Sequence, residues 1–226
     1  MTGMQVFEGR ICPPPTSGNI TIVVARFNKT ITQRLLDGAV AKLLQHKMHA
    51  DDIRVVWVPG SYEIPFMAEH FAKDPDCMAV ICLGAVIKGE TSHDQHINRY
   101  VSMSLGETAA QYGKPVIFGV ITCDTVEQAN ARSGIIESEK DKARNPAPGN
   151  KGAEAAEAAL EMIDLLEEIP DYRVAFSPQE ILSRLMGDDD DDDDDDDDFD
   201  DMPFFPPLPS RRGGKGVKKA KKGTKK

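Results

Sequence analysis

Four short runs of this chain are nearly unbroken apolar sequence, rich in β-branched residues. They are Ile20 to Ala25, Ile53 to Val58, Cys77 to Leu83 and Val116 to Ile121. Runs of that length and continuity suit strands buried on both faces, the condition of a parallel sheet covered by helices.

The segments between and after them carry helical periodicity. Ile31, Leu35, Ala39 and Leu43 recur every fourth position, as do Ile97, Val101, Leu105 and Ala109. Ala156, Ala159, Leu160 and Ile163 recur at spacings of three and four. Each set makes one apolar helix face. Repeated strand–helix units imply right-handed crossovers and a three-layer α/β sandwich on a four-stranded parallel sheet. A short strand near Gln5-Val6-Phe7 is expected as an additional arm.

The character of the sequence changes after Ile169. Pro170 is expected to end the last helix, and Phe176 to Leu185 is expected to form at most a brief helix starting at Ser177-Pro178. Eleven consecutive aspartates follow, Asp188 to Asp198, then Met202-Pro-Phe-Phe-Pro-Pro-Leu-Pro209 and a Lys-rich end from Arg211 to Lys226. Such a composition buries too little apolar surface to order itself. The expected organisation is therefore a folded domain over 1–169 and a largely disordered tail over 170–226.

The formal net charge of −10 argues against a nucleic-acid-binding core. No apolar run approaches the ~20 residues that cross a bilayer, and the first ten residues lack the pattern of a secretory signal. A cytoplasmic location is expected. Cys12, Cys77, Cys82 and Cys123 form no C-x-x-C pair. They are expected to be buried thiols, neither disulfides nor metal ligands.

In an open parallel sheet, ligands bind outside the carboxyl ends of the strands. After the first run stands Arg26-Phe27-Asn28, where Phe27 either stacks a flat heterocycle or covers the core. After the second stands Pro59-Gly60-Ser61-Tyr62-Glu63. Ser61 and Glu63 there either bond a polar ring edge or make a good helix start, with Ser61 as cap. After the third stands Gly84-Ala-Val-Ile-Lys-Gly-Glu-Thr-Ser-His93. A helix start at Glu90-Thr91-Ser92 can hold a phosphate, with His93 beside it as a proton-exchanging group or merely a polar residue of a first turn. After the fourth, a helix runs to about Arg132, which either pairs with phosphate or is a plain surface arginine. Gly149-Asn-Lys-Gly152 opens the last helix and brings Lys151.

Together, Arg26-Phe27-Asn28, VPGSYEIP (58–65), GAVIKGETSH (84–93), PVIFGVITCDTVEQANAR (115–132) and GNKG (149–152) resemble the 6,7-dimethyl-8-ribityllumazine synthases over about residues 5–168. Each motif is weak alone, but five in order after the expected strands are specific. The resemblance implies a flavodoxin-like sandwich assembled into homopentamers, with no metal or organic cofactor. It implies a transferase of riboflavin biosynthesis. That enzyme condenses 5-amino-6-(D-ribitylamino)uracil with 3,4-dihydroxy-2-butanone 4-phosphate to the lumazine, phosphate and water, the penultimate step of the pathway.

By that resemblance Phe27 stacks on the pyrimidine, and Ser61, Tyr62 and Glu63 hold the ribityl chain and ring. Ala85, Val86 and Ile87 bind the pyrimidine through their backbone. Glu90 and Thr91 grip the butanone phosphate. Phe118 and Arg132 reach in from a neighbouring subunit, with Lys151 assisting, and His93 shuttles protons.

The sequence departs from the family in three places. Asp94-Gln95-His96 replaces the usual aromatic–acid–aromatic run, with the acid one position early. Ser133 to Pro148 is longer than usual, which implies isolated pentamers and not sixty-subunit shells. The tail has no family counterpart and no identified partner. Two competing functions on this scaffold are an archaeal-type riboflavin synthase and a non-catalytic pentameric platform. A flavodoxin-type electron carrier would need a Ser/Thr-rich phosphate loop where Arg26-Phe27-Asn28 stands.

Overall fold

The computed structural model describes residues 6–15, 18–135 and 149–169. Strands β1 (Asn19–Ala25), β2 (Ile53–Val58), β3 (Cys77–Ile87) and β4 (Val116–Cys123) form one parallel sheet in the order β2-β1-β3-β4. Five α-helices lie among the described residues: α1 (Lys29–Gln45), α2 (Ile64–Ala72), α3 (His93–Tyr112), α4 (Val126–Arg132) and α5 (Lys151–Glu168). Single 3-10 turns precede β2 and α2, at Ala50–Asp52 and Ser61–Glu63.

Alternation along β1 divides the core in two. Ile20, Ile22 and Val24 face one side with Leu35, Ala39 and Leu43 of α1 and Ala156, Ala159 and Leu160 of α5. Val23 and Ala25 face the other, with Ile64 and Ala68 of α2 and Val101 and Leu105 of α3. The three layers are therefore α1 and α5, the sheet, and α2 and α3. Each fully buried Ile or Leu contributes about 1.5–3 kcal/mol, so both layers are held chiefly by burial. Helices α1 and α5 approach very closely: a Cβ on Gly152 would lie 1.9 Å from the Leu35 carbonyl oxygen, so only glycine fits there.

The crossover leaving β1 goes to β2, whereas the one leaving β3 goes to β4, in the opposite direction. Between the carboxyl ends of β1 and β3 the connections diverge and leave a crevice, where open α/β sheets bind ligands.

The four expected strands are all present, but β3 is longer than its apolar run. Gly84 to Ile87, expected in the following loop, continue the strand because Gly84↔Val120 through Ile87↔Cys123 keep pairing with β4. On α3, Val101 and Leu105 are buried as the periodicity requires, while Ile97 and Ala109 are half-buried. Thr108 is buried instead, its hydroxyl satisfied by the Ser104 carbonyl at 2.8 Å.

Val6 and Phe7 join no strand and are exposed. The segment after them lies against α5, where Arg10 donates its backbone N–H to Asp164 at 2.8 Å and its guanidinium to Glu168. The four cysteines are free thiols, two buried and two half-buried. No described helix is long and apolar enough to cross a membrane. The expectations for Gln5, for most of Ser133 to Pro148 and for the tail 170–226, including the brief helix at Phe176 to Leu185, lie outside the described residues.

Candidate active site

A cavity of about 470 Å³ opens at the crevice between β1 and β3. Strand β1 ends there in a tight bend. Arg26 and Phe27 donate their N–H groups to the carbonyls of Val58 and Pro59, and Asn28 takes a left-handed backbone at φ 58°. The Asn28 side chain donates to the Ala85 carbonyl at 2.9 Å, joining β1 to β3 beyond the last paired residues. This bend turns Phe27 out over the cavity, where it is 69% exposed. An aromatic that protrudes from a rigid strand end suits stacking better than core covering.

The Pro59-Gly60 bend leads into the turn Ser61–Glu63. Ser61 is not the helix cap expected of it. It is buried, its Oγ so close to β3 that a Cβ on Gly84 would stand 2.6 Å away. Glu63 turns back and accepts from the Gly60 N–H at 2.8 Å, which holds the turn closed. Tyr62 stacks on Tyr100 of α3, ring centroids 4.4 Å apart. All three residues border the cavity.

Ala85, Val86 and Ile87 also border it. The N–H groups of Val80 and Lys88 donate towards β4 and its approach, at Pro115 and Cys123. Alternation therefore puts the backbone of Val86 into that ladder and turns those of Ala85 and Ile87 to the open side. Pairing with β1 stops at Leu83 and the Asn28 side chain takes up the Ala85 carbonyl, so Ile87 lies beyond both, at the open end of β3. Val86, expected to bind through its backbone, borders the cavity while it pairs with Thr122 of β4.

Thr91 and His93 close the cavity at the start of α3, with the Thr91 hydroxyl 3.5 Å from the His93 N–H. Glu90 is exposed in the preceding turn and does not border the cavity. Five lining residues were not singled out as site residues in the sequence: Pro59, Gly60 and Gly89 of the turns, and Asp94 and Ile97 of α3. The only sequence signal for Asp94 was its displacement from the family's usual acidic position.

Phe118, Arg132 and Lys151 lie elsewhere, in a second cavity of about 390 Å³ between the outer strand β4 and the start of α5. Thr125 caps α4, accepting from the Gln128 N–H, and brings Arg132 to the end of that helix. Asn150 caps α5, accepting from the Gly152 and Ala153 N–H groups at 2.8 and 3.2 Å, and sets Lys151 at its first position. Ser133 and Asn150, at either end of the long connection, form an antiparallel bridge that holds the two helix ends together. Lys151 pairs with Glu154, a lining acid that sequence reasoning did not flag. Burial raises the pKa of the nearby Cys123 thiol, and the positive field of Arg132 opposes this.

The two linings share no residue. The first contains no lysine or arginine; the second supplies both.

Residues 17–167 match the family model of 6,7-dimethyl-8-ribityllumazine synthase. A protein named 6,7-dimethyl-8-ribityllumazine synthase from Coxiella burnetii (strain Dugway 5J108-111) is 43% identical over 154 residues, covering 68% of this chain and 95% of that relative. Proteins of the same name from strains CbuG_Q212 and RSA 493 / Nine Mile phase I are each 44% identical over the same shares. A family match over two thirds of the chain, with relatives covered almost end to end, shows that the chain belongs to the 6,7-dimethyl-8-ribityllumazine synthase family.

Proposed function

We propose that the two cavities are halves of one active site, completed where two copies of the chain meet, and that the family's reaction takes place there. That reaction condenses 5-amino-6-(D-ribitylamino)uracil with 3,4-dihydroxy-2-butanone 4-phosphate to 6,7-dimethyl-8-ribityllumazine, phosphate and water. The observation that carries the reading is the separation of chemistry between the cavities. The protruding aromatic, the end of β3 and His93 lie in one, and the cations Arg132 and Lys151 in the other. A dianionic phosphate at the start of α3 is held more tightly with cations beside it, and the first cavity has no lysine or arginine to supply them.

In this reading the pyrimidine lies on Phe27 with its polar edge towards Ala85 and Ile87, and its ribityl chain runs towards Ser61 and Glu63. The butanone phosphate meets Thr91 at the start of α3, and Phe118, Arg132 and Lys151 of the neighbouring copy close over both. The amine attacks the ketone, and the carbinolamine loses water to give an imine. Phosphate is then eliminated, and ring closure expels a second water. Each step moves a proton. His93 holds the cavity's imidazole, a side chain suited to giving and taking protons near neutral pH. Arg132 stabilises the departing phosphate. Both partners are reactive in water, so much of the acceleration comes from holding them together. The assembly is a closed pentamer, the protein acts in the cytoplasm, and residues 170–226 are accessory.

The test combines activity with complementation. The full chain is mixed with both substrates, and lumazine and phosphate are measured together against a protein-free control. Phe27→Ala and Arg132→Gln are then made separately, each damaging one half-site. Co-refolding the two inactive chains leaves about a quarter of interfaces with both halves intact, so activity returns in the mixture. Activity in the parent without recovery in the mixture overturns the shared site. No excess of lumazine over the control overturns the enzyme reading.

A further inference from the structure

Two side-chain oxygens of α3 are enclosed without a hydrogen-bond partner, Oδ1 of Asp94 and Oδ1 of Asn98. The residues are four apart on one helix, so their side chains are neighbours one turn apart. Both oxygens are acceptors and do not satisfy each other as they stand. An amide, however, carries its oxygen and nitrogen at equivalent positions. With the Asn98 amide turned by half, its Nδ2 takes the enclosed position in place of Oδ1, a donor one turn along the helix from Asp94 Oδ1. Leaving either buried acceptor unpaired costs about as much as a lost hydrogen bond, so the pair has reason to adopt that arrangement.

Asp94 also borders the first cavity, beside Phe27, Ser61, Tyr62 and His93. Its second oxygen, Oδ2, is not among the enclosed atoms and has no partner among the described residues. A carboxylate with one oxygen enclosed one turn before Asn98 and the other open at the cavity is an acceptor waiting for a donor. A phosphate offers none and is repelled by the charge. A polyol chain offers several.

We propose that Asp94 is a substrate-contacting residue of this chain. In this assignment Oδ2 accepts a hydrogen bond from a hydroxyl of the polyol carried by the pyrimidine, and Asn98 is the positioning residue that holds the carboxylate. The assignment rests on the pyrimidine occupying the first cavity. It makes Asp94 a determinant of selectivity for the hydroxylated chain over the bare ring.

The experiment measures binding of two probes to the full chain by calorimetry, 5-amino-6-(D-ribitylamino)uracil and 5,6-diaminouracil, which lacks the chain. Asp94→Ala is expected to weaken the first about tenfold or more, the scale of a hydrogen bond to a charged group, and to leave the second nearly unchanged. Asn98→Ala shifts the same ratio in the same direction by less. Asp94→Asn, of the same shape, serves if the alanine chain does not fold, and loses part of the preference. Equal losses for both probes, or none, overturn the role of Asp94 while leaving the active-site reading intact. A parent chain that turns over neither substrate nor binds the ribityl probe overturns both.

Discussion

The Asn28 side chain donates to the carbonyl of Ala85 at 2.9 Å while its own backbone stands at φ 58°. One residue thus makes the bend between β1 and α1 and ties it to β3 beside the first cavity. Left-handed backbone costs a residue with a Cβ roughly 1–2 kcal/mol, which asparagine bears better than most and glycine does not bear at all. Asn28→Ala is therefore expected to lose both the hydrogen bond and the tolerance of the bend, about 2 kcal/mol together. Asn28→Gly loses the hydrogen bond alone. Urea unfolding of the two variants checks the order, and both should raise the KM for the pyrimidine by loosening Phe27. Equal stability of the two variants would remove the backbone from the explanation.

His93 is the exposed first residue of α3 at the cavity wall, and proton transfer is the role proposed for it. His93→Ala is expected to lower kcat by about 10²-fold without abolishing turnover, because alignment of two reactive partners survives. Steady-state kinetics over pH 5–9 measure it. A loss under about threefold would take His93 out of the proton transfers.

Gly152 lets α5 start against the backbone of α1. The Cβ of Gly152→Ala would stand 1.9 Å from the Leu35 carbonyl oxygen, a contact with backbone that no rotamer relieves. The helices must part, at a cost of about 1–3 kcal/mol for overpacking. The thermal midpoint should fall. The KM for the butanone phosphate should rise, since Lys151 moves with the helix start.

Acid should weaken the fold through an exposed pair far from the cavities. The side chain of Arg54 holds the Asp74 carboxyl below its usual range, with help from the Asp76 backbone N–H. A depressed pKa adds stability that is fully present above the unfolded value, about pH 4, and is lost as pH falls through the folded one. Urea midpoints at pH 7 and pH 3 should therefore differ less in Arg54→Met than in the parent. Both partners are partly exposed, so added salt should shrink the difference. An unchanged pH dependence would show that other carboxyls carry it.

Ending the chain at Ile169 should leave kcat and both KM values as they are. The family match ends at residue 167 and α5 at Glu168, so all proposed site residues are retained. A large loss of turnover in a truncated chain that still assembles would give the tail a part in catalysis.

The four strands and the helix faces of α1 and α5 were legible in the sequence because burial imposes periodicity. Ile20, Ile22 to Ala25 and Leu35, Ala39 and Leu43 are apolar for the same reason that they are buried. The extension of β3 through Gly84 to Ile87 was not legible, since those residues read equally well as loop. Pairing with β4 decided it. Ser61 looked like a helix cap because serine commonly is one. Close approach to Gly84 buried it, and Glu63 closed the turn in its place. Asp94 carried no periodic signal, and its significance lies in an oxygen left without a partner, which only packing reveals.

By itself the sequence determined the layers, the family and most of the residues that border the first cavity, because hydrophobic patterning and short motifs are local properties of the chain. Only the tertiary structure decided how those residues divide. Phe27, Ser61 and His93 are gathered at the divergence of β1 and β3, while Phe118, Arg132 and Lys151 sit on the outer strand, in a cavity that shares no lining with the first. The physical reason is strand order: β4 leaves β3 on the side opposite to β1, so the cations carried beyond β4 and on α5 do not line the cavity where the aromatic stands.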